Sequence, residues 1–239
     1  MNILTDTHCH TIASTHAYST VCELAAEAKN KKFEAIAVTD HGTALPDSPH
    51  IWHFVNLRTL PQYINGVRIL KGCEVNILDD LGGMDMPDDI LSKLDIVIAS
   101  IHHPTYKPKN TTDDHTLTYL HVLDNPGVDI IGHSGWADFQ YNHEKVLTKA
   151  KSLHKLIEIN SHTFSVRKEG ADICRNIALE CKRLEAPIVV SSDAHICFDV
   201  GNFNGALKML AEIDFPEELI VNTSFGKLAD YLSVRKNIR

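Results

Sequence analysis

Two imidazoles stand two residues apart in the segment Thr5-Asp6-Thr7-His8-Cys9-His10. In extended backbone such positions face the same side, so His8 and His10 can offer nitrogens to a single cation. An isolated pair of this kind is equally a polar strand end, and its meaning depends on what accompanies it. Seven more metal-ligating side chains follow: His16, His41 in Thr39-Asp40-His41-Gly42, Glu74 in Gly72-Cys73-Glu74-Val75-Asn76, His102 in Ser100-Ile101-His102-His103-Pro104, His133 in Ile131-Gly132-His133-Ser134, and Asp193 with His195 in Ser192-Asp193-Ala194-His195. Crowding unpaired imidazoles and carboxylates on one face would cost desolvation and mutual repulsion unless cations compensate. The nine residues therefore predict a metal centre. Mixed imidazole and carboxylate ligands suit zinc and equally manganese or iron.

The elements that would carry these residues are short β-rich runs at 3–8, 35–39, 67–74, 96–101, 128–132, 156–160 and 188–192. Helical apolar spacing appears at 21–31, 116–123, 143–153, 172–184 and 204–212. Strands alternating with helices predict a parallel sheet. His8, Asp40-His41, Glu74, His102, His133, Asn160 and Asp193 each fall at or just beyond a strand's C-terminal end. A ring of strands would gather them on one face, whereas an open sheet would hold its first and last strands too far apart. A closed barrel is expected, in one domain spanning residues 1–239, since no linker, low-complexity tract or internal repeat divides the chain.

Taken together, the motifs resemble the PHP (polymerase and histidinol phosphatase) family: DxHxH, a downstream His, TDH, a mid-chain Glu, two single His and a final DxH, with all nine positions filled between His8 and His195. The segments Ser14-Thr15-His16-Ala17-Tyr18-Ser19 and Pro49-His50-Ile51-Trp52-His53-Phe54 look most like the stand-alone YcdX-type phosphatases. The resemblance implies an α/β fold, a distorted seven-stranded (βα)7 TIM-like barrel, with a trinuclear site, usually of zinc and in some members of manganese or iron. By analogy the first ion takes His8, His10, Glu74 and Asp193. The second takes Glu74, His102 and His133, and the third His16, His41 and His195. It further implies a phosphatase hydrolysing small phosphate monoesters through metal-bound hydroxide. Two alternatives stay open at this point: a phosphodiesterase or exonuclease acting on nucleic-acid ends, and a non-catalytic metal-binding module.

Around these ligands, Asp6 and Asp40 are placed to accept an imidazole N–H and fix its tautomer. Arg58 and Arg167 are the candidates for gripping substrate phosphate, because a guanidinium fork matches phosphate oxygens. His53, His103 and His162 are candidate proton donors, though an ordinary hydrogen bond explains each as well. Trp52 and Phe54 could wall a pocket or pack in the core. Neither GxSxG nor a P-loop lysine signature is present.

The bulk properties agree with a soluble enzyme. Hydrophobic residues make up 44% of 239 and charged ones 23%, enough for a buried core. A net charge of -8 speaks against a nucleic-acid backbone as partner but not against a small anion, because bound cations reverse local charge. Residues 1–6 show no basic region followed by an apolar run, and no stretch approaches membrane-spanning length, so no signal peptide or membrane partner is expected. The six cysteines lack CxxC or scaffold spacing, which predicts reduced thiols and a cytoplasmic location. Cys9 and Cys73 alternate with ligands along their strands and should point away from the metals. A homo-oligomer is compatible with everything above.

Overall fold

The computed structural model describes residues 1–107, 111–166 and 168–234. Eight strands run in chain order: β1 (Thr5–Cys9), β2 (Ala35–Val38), β3 (Tyr63–Ile64), β4 (Val67–Asn76), β5 (Ile96–Ser100), β6 (Ile130–Ile131), β7 (Leu156–Asn160) and β8 (Ile188–Ser191). All but β3 form a continuous parallel sheet in the order β1-β2-β4-β5-β6-β7-β8, and β3 pairs antiparallel with β4 at its outer start. The helices are α1 (Val21–Asn30), α2 (Trp52–Asn56), α3 (Asp88–Leu91), α4 (Thr112–Asp124), α5 (His143–Ser152), α6 (Thr163–Val166), α7 (Lys168–Leu184), α8 (Asn204–Glu212) and α9 (Phe225–Ser233). None of the described helices is long and apolar enough to cross a membrane.

The sheet curls into a nearly closed barrel of seven parallel strands, as expected. Its first and last strands meet at the C-terminal end, where His10 N donates to Ala194 O at 2.8 Å and Ala194 N to His8 O at 3.3 Å. Lower down the strands diverge, and one side chain spans the gap: Asn222 Nδ2 donates to Thr5 O at 2.8 Å and Val190 O at 2.6 Å, while its Oδ1 accepts from Val190 N at 3.0 Å. A buried amide thus supplies the ladder bonds that an eighth staggered strand would have made. Asp6 adds a second clasp, accepting from Ser192 N at 3.1 Å, Ser192 Oγ at 2.5 Å and Gly201 N at 2.9 Å.

Strand alternation sorts the wall into two faces. Outward residues such as Ile36, Val38, Val97, Ala99, Ile157 and Ile159 pack beneath the surrounding helices. Cys9 and Cys73 belong to this outer layer, pointing away from the lumen as anticipated. Inward residues change character along the axis. At the strand starts Ala37, Leu70, Ile96, Ile98, Ile130, Leu156 and Val189 form an apolar plug, sealed by Val221 and by Leu228 and Leu232 of α9. Two or four residues further along the same inward faces stand Glu74, Ser100, Glu158, Asn160 and Ser191, all buried. Two glycines make the lumen narrow enough: a Cβ on Gly72 would come within 2.7 Å of Thr39 Cγ2 and 2.8 Å of Ile96 Cγ2, and one on Gly132 would collide with Ser100 and Ile98.

Candidate metal centre

Each of the nine predicted side chains reaches the C-terminal mouth of the barrel from its own strand end or the loop beyond. Glu74, fully buried on β4, lies at their centre. Its Oε2 is 2.7 Å from His41 Nδ1, 3.3 Å from His8 Nε2 and 3.6 Å from His10 Nε2. Its Oε1 is 2.8 Å from His133 Nε2 and 3.5 Å from His102 Nε2. One carboxylate therefore faces two separate sets of imidazoles. Asp193 joins the first set, its Oδ1 lying 3.1 Å from His10 Nε2 and 3.6 Å from His8 Nε2. At φ 55 it occupies the left-handed region, which Asp tolerates better than most residues, and so turns its carboxylate back into the lumen. Nearer solvent, His16 Nε2 is 3.2 Å from His41 Nε2 and 3.0 Å from His195 Nε2.

The chemistry of this cluster fits cations. His8 Nε2, both ring nitrogens of His10, His41 Nδ1, Glu74 Oε2 and Asp193 Oδ1 are buried without a hydrogen-bond partner. So many orphaned donors of electron pairs at one point would be costly in a protein interior with nothing to coordinate. Among the described residues three groups have ligand atoms within 4.8 Å of one another: His8, His10 and Asp193; His10, His41 and His195; and His41, Glu74 and His102. The cluster is able to bind metal.

Electrostatics point the same way. Burial, and the neighbouring His41 and His195, push the pKa of His10 down to about 3, leaving a neutral ring ready to coordinate. Burial acting alone would raise Glu74, but His8, His102 and His41 outweigh it and hold the carboxyl well below its usual range. Asp193 is likewise held well down by His8 and His10 against the effect of burial. His8 moves the other way: burial opposes its charge, yet Glu158, Glu74 and Asp193 hold a proton on it well above the ordinary value. A proton there stands in for positive charge that the three carboxylates demand.

A second ring of side chains orients the first. Asn76 Oδ1 lies 2.7 Å from His102 Nδ1, while its amide donates to Asp85 Oδ2 at 2.6 Å and Gly42 O at 3.2 Å. His16 Nδ1 is in close contact with the Asp47 carboxylate. Asn160 donates to Asp193 Oδ2 at 3.1 Å, and Glu158 lies 2.6 Å from His8 Nδ1. The motif reading passed over Glu158, Asn76 and Asp47 in these roles. Glu158 did leave a signal, a carboxylate at an inward position of an otherwise apolar strand, Leu-Ile-Glu-Ile-Asn. Asp47 sits in a loop and has no such mark.

Other expectations need correcting. Asp6 binds backbone and Ser192 at the barrel seam instead of an imidazole. Asp40 does face an imidazole, but that of His53 at 3.1 Å, and also accepts from Thr11 N, Thr11 Oγ1 and Ser14 Oγ at 2.8 Å each. Arg58, on the turn after α2, lines a separate cavity with Lys71, Lys93 and Leu94, so the structure does not bring it to the metal cluster. Arg167 lies outside the described residues. Trp52 is 75% exposed and Phe54 is core; neither lines the mouth. That opening, a cavity of about 660 Å³, is walled instead by Leu45, Pro46, Pro104 and Trp136, with His103 and His162 at its rim. Among the described residues no lysine or arginine lines it.

Comparison with known proteins adds to this geometry. A family model described as PHP domain matches residues 6–167. A protein of Acetivibrio thermocellus named "Probable phosphatase" is 48% identical over 236 residues, covering 99% of this chain and 98% of that one. Another "Probable phosphatase", from Caldanaerobacter subterraneus subsp. tengcongensis, is 46% identical over 237 residues, covering 99% and 93%. Among solved structures, a histidinol phosphate phosphatase of Lactococcus lactis subsp. lactis, complexed with zinc, L-histidinol and phosphate, superposes with a TM-score of 0.66 at 17% identity, covering 90% of this chain and 95% of that one. At that identity the likeness is one of fold.

Proposed function

The chain belongs to the PHP-domain family, and from that premise we propose that it is a metal-dependent phosphatase hydrolysing small phosphate monoesters at a trinuclear centre. The observation that carries the reading is the placement of Glu74, whose two oxygens face different imidazole sets. A carboxylate so placed suits a bridge between two ions, with His8, His10 and Asp193 completing one and His102 and His133 the other. His16 and His195, nearest the opening, suit a third together with His41, whose Nε2 faces His16. Zinc fits these donors, and manganese or iron fits them too. The zinc in the Lactococcus lactis enzyme and the names of the two relatives support this reading.

Divalent ions held there would supply Lewis acidity, lowering the pKa of water and neutralising charge on a transferring phosphoryl group. The chain's own residues do the rest. Glu158, Asn76 and Asp47 keep His8, His102 and His16 in place. Trp136, Leu45, Pro46 and Pro104 wall off solvent from the organic portion of a substrate. A mouth of about 660 Å³ suits a metabolite-sized ligand. Metal ions held by the cluster would recognise the phosphate, and Arg167, outside the described residues, stays a candidate for gripping it. His103 and His162, at the rim, are the imidazoles from which a proton can reach a leaving oxygen.

The test is chelation. Purified protein should contain close to three ions per chain by elemental analysis. Exhaustive chelation should abolish hydrolysis of p-nitrophenyl phosphate, and adding back zinc or manganese should restore it. A panel of phosphorylated metabolites assayed beside short oligonucleotides should favour the monoesters. Full activity after verified metal loss would overturn the mechanism, and a preference for oligonucleotides would overturn the substrate class.

A further inference from the structure

Glu158 lies beneath the metal cluster and outside the nine side chains, fully shut off from solvent on β7. Each of its oxygens meets two donors. Oε1 accepts from Ser191 Oγ at 2.6 Å and lies 2.6 Å from His8 Nδ1. Oε2 accepts from His133 N at 2.6 Å and from Asn160 Nδ2 at 3.3 Å. An ionised carboxylate only accepts, so the His8 contact is a hydrogen bond only if Nδ1 carries the ring proton. In the neutral ring, the form that coordinates a cation once the second proton is displaced, Nε2 is then left with its lone pair. That atom is buried, has no hydrogen-bond partner, and lies 3.3 Å from Glu74 Oε2 and 3.6 Å from Asp193 Oδ1.

The four contacts also join two parts of the cluster. His8 leaves β1 on one side of the lumen and His133 follows β6 on the other, and a single buried carboxylate holds the ring of the first and the backbone of the second. We infer that Glu158 is a positioning residue that fixes the tautomer of His8 and ties His8 to the His133 segment, so that both present their Nε2 atoms on either side of Glu74. The assignment rests on the metal-binding reading given above.

The Glu158→Gln substitution separates this role from simple filling of the core. Its amide group must turn an NH2 toward one pair of donors. Facing His133 N and Asn160 Nδ2, it would oppose groups that cannot accept. Facing the other pair it finds Ser191, whose hydroxyl can reverse, and His8, which can accept only by moving its proton to Nε2. The atom that should coordinate is then blocked. In holoprotein titrated with zinc against a competing chelator, Glu158→Gln should bind at least one ion about 10–100-fold more weakly than wild type, the usual cost of losing such a partner. Circular dichroism of the metal-free variant should match wild type.

A second measurement needs no variant. In the zinc-loaded wild-type protein with 15N-labelled histidine, His8 should be protonated at Nδ1 and coordinated through Nε2. Coordination through Nδ1, or wild-type zinc affinity in a folded Glu158→Gln protein, would overturn the assignment while leaving the metal reading intact. Wild-type protein that binds no zinc would overturn both. If Glu158→Gln does not fold, the spectrum of the wild type decides alone.

Discussion

At the scale of single residues, the centre divides into groups that would touch ions and groups that hold those in place, and substitutions should tell the two apart. Glu74→Gln should do more damage than any single histidine change outside the nine, because one side chain faces both imidazole sets. The expected result is loss of the paired ions by elemental analysis and activity at background. A variant keeping two ions and near-normal turnover would refute bridging. His16→Ala should cost about one ion per chain and lower kcat/KM by a factor on the order of a hundred, comparable to removing one strong electrostatic contact from a transition state. An unchanged metal content would remove His16 from the ligand set. That the nine would converge was legible in the sequence because imidazoles and carboxylates at strand ends repeat a visible pattern. Glu158 and Asn76 were harder to see in their roles because their partners lie on other strands, at distances along the chain that no local motif spans.

Among the elements, the wall was easier to read than its closure. The run 156–160 matches β7 residue for residue, and each of the other barrel strands overlaps its predicted run, β1 starting at Thr5 and ending at Cys9. β6 is confined to Ile130–Ile131, although Gly132 N still donates to Ala99 O at 2.9 Å, and β4 runs on to Asn76. β3 and α9 were not anticipated: two residues show no period, and α9 owes its place to the lumen that Leu228 and Leu232 plug, a partner invisible from residues 225–233 alone. The seam could not be foreseen either, since Asn222 reads as an ordinary polar loop residue. Its replacement tests the closure. Asn222→Ala strands Val190 N, Val190 O and Thr5 O inside the protein, and at about 1–3 kcal/mol for an unsatisfied buried group the loss should be at least 2 kcal/mol in urea unfolding. Stability within 0.5 kcal/mol of wild type, on the order of an ordinary surface change, would show that the seam closes without it. Gly132→Ala, which drives a methyl into Ser100 and Ile98, should cost about 1–3 kcal/mol by the same measurement.

Viewed whole, the molecule separates its apolar support from its chemistry. The packing between wall and helices, and the plug at the strand starts, are built without the nine cluster residues. Metal-free protein should therefore keep its helical circular dichroism but melt lower. With free zinc a thousandfold above its dissociation constant, binding adds about 4 kcal/mol per site, and for a chain of this size that is on the order of 10 °C in midpoint. A scan showing no shift on chelation would mean that the ions are not linked to folding.

The seam has a consequence in time as well as in space. Within this sequence His8 and His10 are synthesised well before Asp193 and His195, and Asn222, which ties β1 to β8, comes later still. At about 5–20 residues per second, translation of 239 residues takes roughly 10–50 s. Through most of that interval β1 has no final strand to meet, and its two histidines wait beside an open edge. Ribosome-bound chains halted before Asp193 should accordingly be cut readily by protease and hold zinc no better than an unfolded peptide, so that loading with metal waits for the last strand of the barrel.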